Sequence, residues 1–372
     1  MQHHTLASKP HYPILDGLRG VAAVMVLIFH TLEPLSTSHL DLMMNHGYLA
    51  VDFFFLLSGY VIGYAYDDRW DKMSIWGFFK RRLIRLQPMI IVGMVVGALF
   101  FYFQDSPAWP LIHTVPISKL LLVMIIGCTL IPVPISMDIR GWQEMHPLDG
   151  PGWSLFFEYI ANILYALFVR RFSRTLLTIL VVISGIALIQ YTVASQTGDV
   201  IGGWSLDGLQ LRIGFTRMMY PFFAGLLLRR IAKASDIKNA FFWCTLLLVV
   251  FFSMPRIGGA KNLWMNGLYE SLTIIFVFPV IVYIGASGKL IGKFATTSCK
   301  FLGEISYPLY ITHYPLVYTY WAWISRNKVS TFSQAIPWAM VVWVSAITLA
   351  YCYLKFYDEP VRRWLTKRFG NA

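Results

Sequence analysis

Charge is what this sequence has least of. Asp, Glu, Lys and Arg make up 13% of 372 residues, against roughly 25% in soluble globular chains. That excludes an ordinary soluble enzyme, and also a disordered chain, which needs high charge and low hydrophobicity. Cysteine is scarce as well: Cys128, Cys244, Cys299 and Cys352 are scattered, with no CxxC, so they build neither a disulfide scaffold nor a thiolate metal site. No HExxH, GxSxG or phosphate loop occurs. The histidines at 3, 4, 11, 39, 46, 113 and 146 form no ligand set, so no metal site is assigned. A cleaved signal peptide is absent too, because the first apolar stretch carries Asp16 and Arg19 and lacks a small-residue cleavage site.

Apolar residues fill the gap, at 57% of the chain and a mean hydropathy of +0.58. A crossing needs about 20 such residues for about 30 Å of hydrocarbon. Suitable blocks run over 13–33, 47–66, 88–104, 153–169, 174–194, 213–231, 239–254, 267–287, 302–324 and 334–357. The block at 119–135 is shorter and ends in Ile131-Pro132-Val133-Pro134. With ten crossings and a cytoplasmic N-terminus, Lys9, the loops 67–87, 170–174, 229–238 and 289–300 and the tail place 22 of the 31 basic residues inside. This is the bias that membrane insertion favours. An eleventh crossing at 119–135 would throw Arg170, Arg171, Arg174 and the basic tail outside. The sequence therefore predicts an all-α polytopic membrane helical bundle of ten transmembrane helices with both termini cytoplasmic. The 119–135 segment is re-entrant or interfacial, and one membrane domain covers 1–372. The net charge of +12 follows from that loop bias and requires no nucleic-acid partner.

Ionisable groups inside such spans cost roughly 2.5–3.5 kcal/mol each and need a reason. The first span holds Asp16, Arg19 and His30. Arg19 and His30 are eleven residues apart, so they share a face about 16 Å apart along the axis, and Asp16 lies one turn from Arg19, near enough to pair with it. An ion pair seating the span and a satisfied core histidine are the plainer readings; the shared face favours function. In the second span Asp52 sits near one end, and Ser58-Gly59 offers polar lining and close helix approach. Arg82 and Arg85, one turn apart in Lys80-Arg81-Arg82-Leu83-Ile84-Arg85, make a site for a phosphate-rich ligand. Trp153-Ser154-Leu155-Phe156-Phe157-Glu158 opens a further span, and a carboxylate that deep must be paired or protonated. Glu158 is therefore the candidate to charge-balance a histidine. His313 is a second buried histidine, and Arg217 a cation without an evident partner.

Seven pieces carry a resemblance: LDGLRG at 15–20, the Arg19-x10-His30 spacing, VDFFFLLSGYVIG at 51–63, FFKRRLIRLQP at 78–88, GPGWSLFFE at 150–158, GEISYPLYITHYPL at 303–316 and FYDEPVRRWL at 356–365. In this order they resemble the acyltransferase-3 family of integral-membrane O-acyltransferases. The resemblance implies transfer of an acyl group, most often acetyl, from cytoplasmic acyl-CoA as co-substrate, with no permanently bound cofactor. The acceptor it implies is a hydroxyl, first of all on a cell-envelope carbohydrate, and the setting is the bacterial cytoplasmic membrane. It also implies an essential role for His30 and functional roles for Arg19, Arg82 and Arg85. On this reading His30 is catalytic as general base or acyl relay, with Glu158 and Asp16 supporting. Arg19, Arg82, Arg85 and Ser58 hold the donor, and Asp52, Trp153 and His313 meet the acceptor. The chain resembles the stand-alone form without an appended hydrolase-like domain, so a second transfer step calls for a separate partner acyltransferase. The rival classes are a transporter or flippase of a lipid-linked intermediate, which an internal repeat would favour, and an inactive scaffold.

Overall fold

The computed structural model describes residues 9, 11–233 and 235–369, which contain helices and no strand. The chain runs α1 (Pro13–Leu32), α2 (Ala50–Tyr66), α3 (Ile75–Phe100), α4 (Ile117–Cys128), α5 (Gly152–Leu167), α6 (Arg174–Ala194), α7 (Gly208–Ile231) and α8 (Ala240–Ser253). It continues with α9 (Leu263–Leu272), which passes through a π-helical turn into α10 (Phe278–Ser287), then α11 (Lys293–Thr312), α12 (Tyr314–Asn327) and α13 (Phe332–Tyr353). A second π-helical turn, Leu354–Asp358, leads into α14 (Glu359–Phe369). Ser74, Ser173 and Asp207 start α3, α6 and α7 by accepting from the N–H groups of Gly77, Leu176 and Gln210, donors that a helix cannot satisfy itself.

Among the described residues six helical stretches are long and apolar enough to cross a membrane. They differ in where they sit. In α1, 72% of the most apolar window is buried, against 22% in the stretch containing α13. So α1 is the axis of the bundle and α13 its rim. Ile179, Val182, Ile183 and Ile186 on α6, and Trp338, Met340, Val341 and Val344 on α13, are exposed, an apolar rim that only a lipid environment matches. Close approach at the axis depends on glycine. A Cβ on Gly20 would lie 2.1 Å from the Leu302 carbonyl oxygen of α11, and one on Gly59 of α2 would lie 1.8 Å from that of Phe222 on α7.

Three expected boundaries move. The third apolar block is part of a helix that begins at Ile75, not near 88, so Lys80–Arg85 form the second and third turns of α3 with Pro88 inside it. The block 302–324 is two helices broken at His313: Pro315 has no N–H to give Ile311 and its ring obstructs a continuous helix. The helix that enters the 119–135 block is α4, twelve residues long and ending at Cys128, about 18 Å at 1.5 Å per residue, well below a hydrocarbon thickness of about 30 Å.

Candidate active site

Two chambers lie end to end beside α1. The first has about 720 Å³ of empty space and takes Arg19 from α1, Ser58 from α2, Arg82 and Arg85 from α3, Ser154 and Glu158 from α5, and Ser306, Tyr307 and Tyr310 from α11. The second, of about 790 Å³, is walled by His30 and Glu33, by Trp142, Trp153, Trp204 and Trp321, by Tyr48 and Tyr314, and by Glu144 and Arg217. Val51 and Tyr310 border both. Tyr310 is held there by Ser154, whose hydroxyl lies 2.7 Å from its own, and by the ring of Phe54 at 5.0 Å.

The first chamber is a place for anions. Its walls carry three guanidinium groups against one carboxylate. Arg19 is oriented by Asp16, Nη1 to Oδ1 at 3.2 Å, as their spacing on one helix predicts. Arg82 donates from Nη2 to Glu158 Oε1 at 2.5 Å, and Ser58 Oγ donates to the same oxygen at 2.7 Å. Arg85 has no hydrogen bond or ion pair to any described residue and is exposed to the cavity. Its whole fork is free for a bidentate partner.

The second chamber centres on His30. Its Nδ1 lies 2.8 Å from Glu33 Oε2. A carboxylate can only accept, so Nδ1 carries the proton and Nε2 is left as the basic nitrogen. The Tyr314 ring stands edge-on at 4.8 Å and the His313 ring is stacked at 5.8 Å with its plane tilted by 28°. Trp321 Nε1 donates to the His30 carbonyl at 2.7 Å. Across the chamber stands Glu144, in the loop between α4 and α5: Tyr318 of α12 donates to its Oε1 at 2.6 Å, and Arg140 of the same loop lies 3.6 Å from its Oε2. Burial pushes the Glu144 carboxyl up to about 7, opposed by the Arg140 charge and the Tyr318 hydroxyl.

The expected residues therefore separate into groups. Arg19, Ser58, Arg82, Arg85 and Glu158 share the first chamber; His30 and Trp153 share the second. Glu158 does not reach His30: it is taken by Arg82 and Ser58, and the carboxylate on the imidazole is Glu33. Asp16 holds Arg19 and is about four turns from His30 on α1. Asp52 lines neither chamber. It is fully buried and receives Arg217 Nη2 at 2.7 Å and Nε at 3.3 Å, which gives the unexplained cation its partner. His313 is buried behind His30, with Nδ1 against the Leu309 and Tyr310 carbonyls and Nε2 unpartnered among the described residues. Sequence reasoning missed Glu33, Glu144 and three of the four tryptophans. The i,i+3 spacing of His30 and Glu33 is a signal that finds the first; the others come from separate loops and helices.

The acyltransferase-3 family model, described as an acyltransferase domain, matches residues 12–357. The O-acetyltransferase OatA of Staphylococcus aureus is 23% identical over 380 residues, covering 97% of this chain and 59% of that protein. The peptidoglycan O-acetyltransferase OatA of Listeria monocytogenes is 22% identical over 395 residues, covering 98% of this chain and 58% of that protein. Protein 2 in the picA locus of Rhizobium radiobacter is 29% identical over 182 residues, 47% of this chain and 91% of that protein. The chain thus spans a little under three fifths of the two O-acetyltransferases. No solved structure matches it significantly. With its family pattern running unbroken from α1 to the turn before α14, this multi-pass integral membrane protein belongs to the acyltransferase-3 family.

Proposed function

We propose that the protein transfers an acyl group, acetyl first among them, from acyl-CoA to a hydroxyl of a cell-envelope carbohydrate. The observation that carries this reading is the meeting of two unlike chambers at Val51 and Tyr310, one cationic, the other holding a paired histidine and four tryptophans. The bias of basic residues supports a cytoplasmic setting for the Arg19 end, the compartment that holds acyl-CoA. Arg85, with Arg19 and Arg82, grips the donor's pyrophosphate, and the pantetheine arm covers the about 16 Å from Arg19 to His30. His30 Nε2 takes the proton of the acceptor hydroxyl as the oxygen attacks the thioester carbonyl. The C–S bond breaks, and the imidazolium returns that proton to the departing thiolate. If His30 acts instead as the acyl relay, Nε2 attacks the thioester carbonyl and the C–S bond breaks to release the thiolate; the hydroxyl oxygen then displaces the imidazole from the acyl group, and the hydroxyl proton goes to the thiolate. Tryptophan faces suit the C–H faces of a sugar ring, and the name of the Listeria relative, a peptidoglycan O-acetyltransferase, supports a glycan acceptor.

The test is reconstitution of the purified chain in proteoliposomes with acetyl-CoA and peptidoglycan fragments. Thiol release matched by ester on the glycan is expected; neither product with any envelope glycan would sink the reading. Arg85→Lys keeps the charge but loses the fork, at about 1.5–3 kcal/mol for a charge-assisted contact. The acetyl-CoA KM should then rise roughly ten- to a hundredfold. Arg174→Lys, at the start of α6, is the topology control, and equal KM values for the two variants would remove Arg85 from the donor site.

Glu144 gives a pH signature. Above about 7 its carboxylate accepts from sugar hydroxyls; as pH falls through that value it takes up a proton and the charge-assisted bond is lost. The acceptor KM should therefore rise as pH falls through about 7, and Glu144→Gln should flatten that profile. The same slope in the Gln variant would assign the titration to another group.

A further inference from the structure

The first chamber does not end at Arg85. That guanidinium also borders a wider cleft, of about 1400 Å³ of empty space, between the start of α3 and α14. Arg81 and Arg85 form one wall, Arg362, Arg363 and Lys367 the other, and Glu359 is the one carboxylate among the described lining residues. Glu359 accepts from Lys355 at 2.6 Å and also feels the charges of Arg362 and Arg363, so this single carboxylate is shared with a cation outside the cleft and leaves the five within it in large excess. Arg362 reaches Asp358 at 3.3 Å, and Arg363 Nε reaches only the Glu359 carbonyl at 3.2 Å. Arg81, Arg85 and Lys367 have no hydrogen bond or ion pair to a described residue, and Arg81 Nε is buried without a partner.

The bias that keeps basic residues on one side of a membrane explains their number but not their arrangement. Cations from residues 81–85 and 362–367 converge on one concavity. Like charges stand one turn apart in each wall, Arg81 with Arg85 and Arg363 with Lys367, an unfavourable spacing unless an anion lies between them. The cleft also adjoins the donor chamber through a shared side chain. A coenzyme A thioester presents its groups in matching order: acyl-pantetheine arm, pyrophosphate, then the phosphomonoester on the ribose 3′-oxygen.

We propose that this cleft binds the ribose 3′-phosphate of the donor, a second anion subsite beyond the pyrophosphate. The proposal rests on the reading that acyl-CoA is the donor. A phosphomonoester carries close to two charges and three accepting oxygens, which two guanidinium forks and an ammonium satisfy better than water does. An anionic lipid headgroup presents the same phosphate chemistry, and the exposed Trp364 and Phe369 of α14 are of the type that anchors at an interface. The experiment separates the two sources.

The full chain is placed in nanodiscs of phosphatidylcholine alone or with phosphatidylglycerol, and kcat/KM is measured for acetyl-CoA, acetyl-dephospho-CoA and acetyl-pantetheine. The wild type should favour acetyl-CoA over the dephospho donor about ten- to a hundredfold in both lipids. Arg363→Gln/Lys367→Gln, on a helix with no buried residue, and Arg81→Gln on the opposite wall should each bring that ratio toward one. Because the readout is a ratio within one preparation, loss of protein does not mimic it. A wild-type ratio near one, with all three donors turned over, overturns the subsite and leaves the donor reading standing. Turnover of none of the three overturns both. Variant effects that appear only with phosphatidylglycerol, and equally on all donors, assign the cleft to lipid and overturn the proposal.

Discussion

His30→Ala is expected to leave an inserted, stable protein that has lost acyl transfer. A positioned general base contributes about 10²–10⁴-fold, and a histidine that carries the acyl group itself would leave nothing measurable. The fold should survive because the imidazole is 20% exposed toward the chamber and the bond from Trp321 goes to the backbone carbonyl, which alanine keeps. Glu33→Gln separates chemistry from positioning. It keeps the size of the side chain and removes the charge that holds the Nδ1 proton, so kcat should fall while the acetyl-CoA KM stays put. Glu158→Gln should do the opposite. Its carboxylate meets Arg82 and Ser58, so the donor KM should rise and the pH profile of kcat should stay unchanged. Wild-type turnover by His30→Ala at equal membrane level would end the catalytic assignment, and a Glu158 variant that copies Glu33→Gln would return Glu158 to the histidine.

The helices and the grouping of arginines in the first chamber were legible because each depends on spacing within a single helix. Arg19 and His30 share a face of α1, Asp16 orients Arg19 over three residues, and Arg82 and Arg85 are one turn of α3 apart; periodicity fixes such relations before any packing. What was not legible depends on which helices meet. Glu158 is one turn below Ser154 in α5, but its partners come from α2 and α3, and no pattern within α5 prefers them to a histidine of α1. The tryptophan wall gathers residues 142, 153, 204 and 321 from two loops and two helices. The break at His313 was written in Pro315, yet an unbroken run of hydropathy over 302–324 hides it, since hydropathy reads solvation and not hydrogen-bond geometry. Asp52 shows the same limit. A carboxylate near the end of a span points to a ligand or to a distant arginine equally well, and only α7 packed on α2 through Gly59 and Gly225 shows which.

That pairing carries the largest expected effect on stability. Asp52 is fully buried and Arg217 is 2% exposed, in a fork-to-carboxylate contact. The same guanidinium donates to the Tyr48 carbonyl at 2.8 Å and the Gly202 carbonyl at 3.3 Å, so it ties α2 and α7 to the loop before α7. Asp52→Ala strands that charge, and removing one partner of a buried pair costs about 3–5 kcal/mol. Asp52→Asn keeps an accepting oxygen and the side-chain shape, so it should cost less, and the difference between the two measures the stranded charge. Arg217→Met in the Asp52→Ala background removes the uncompensated charge and should recover part of the loss. Recovery should stay incomplete, because the Tyr48 and Gly202 carbonyls then lack their donor. Thermal unfolding of the detergent-solubilised protein, followed by loss of the monodisperse peak, orders the four chains as wild type, Asp52→Asn, the double variant and Asp52→Ala. Should Asp52→Ala unfold with the wild type and show only a raised acceptor KM, the carboxylate belongs to the acceptor site after all and Arg217 is held by carbonyls alone.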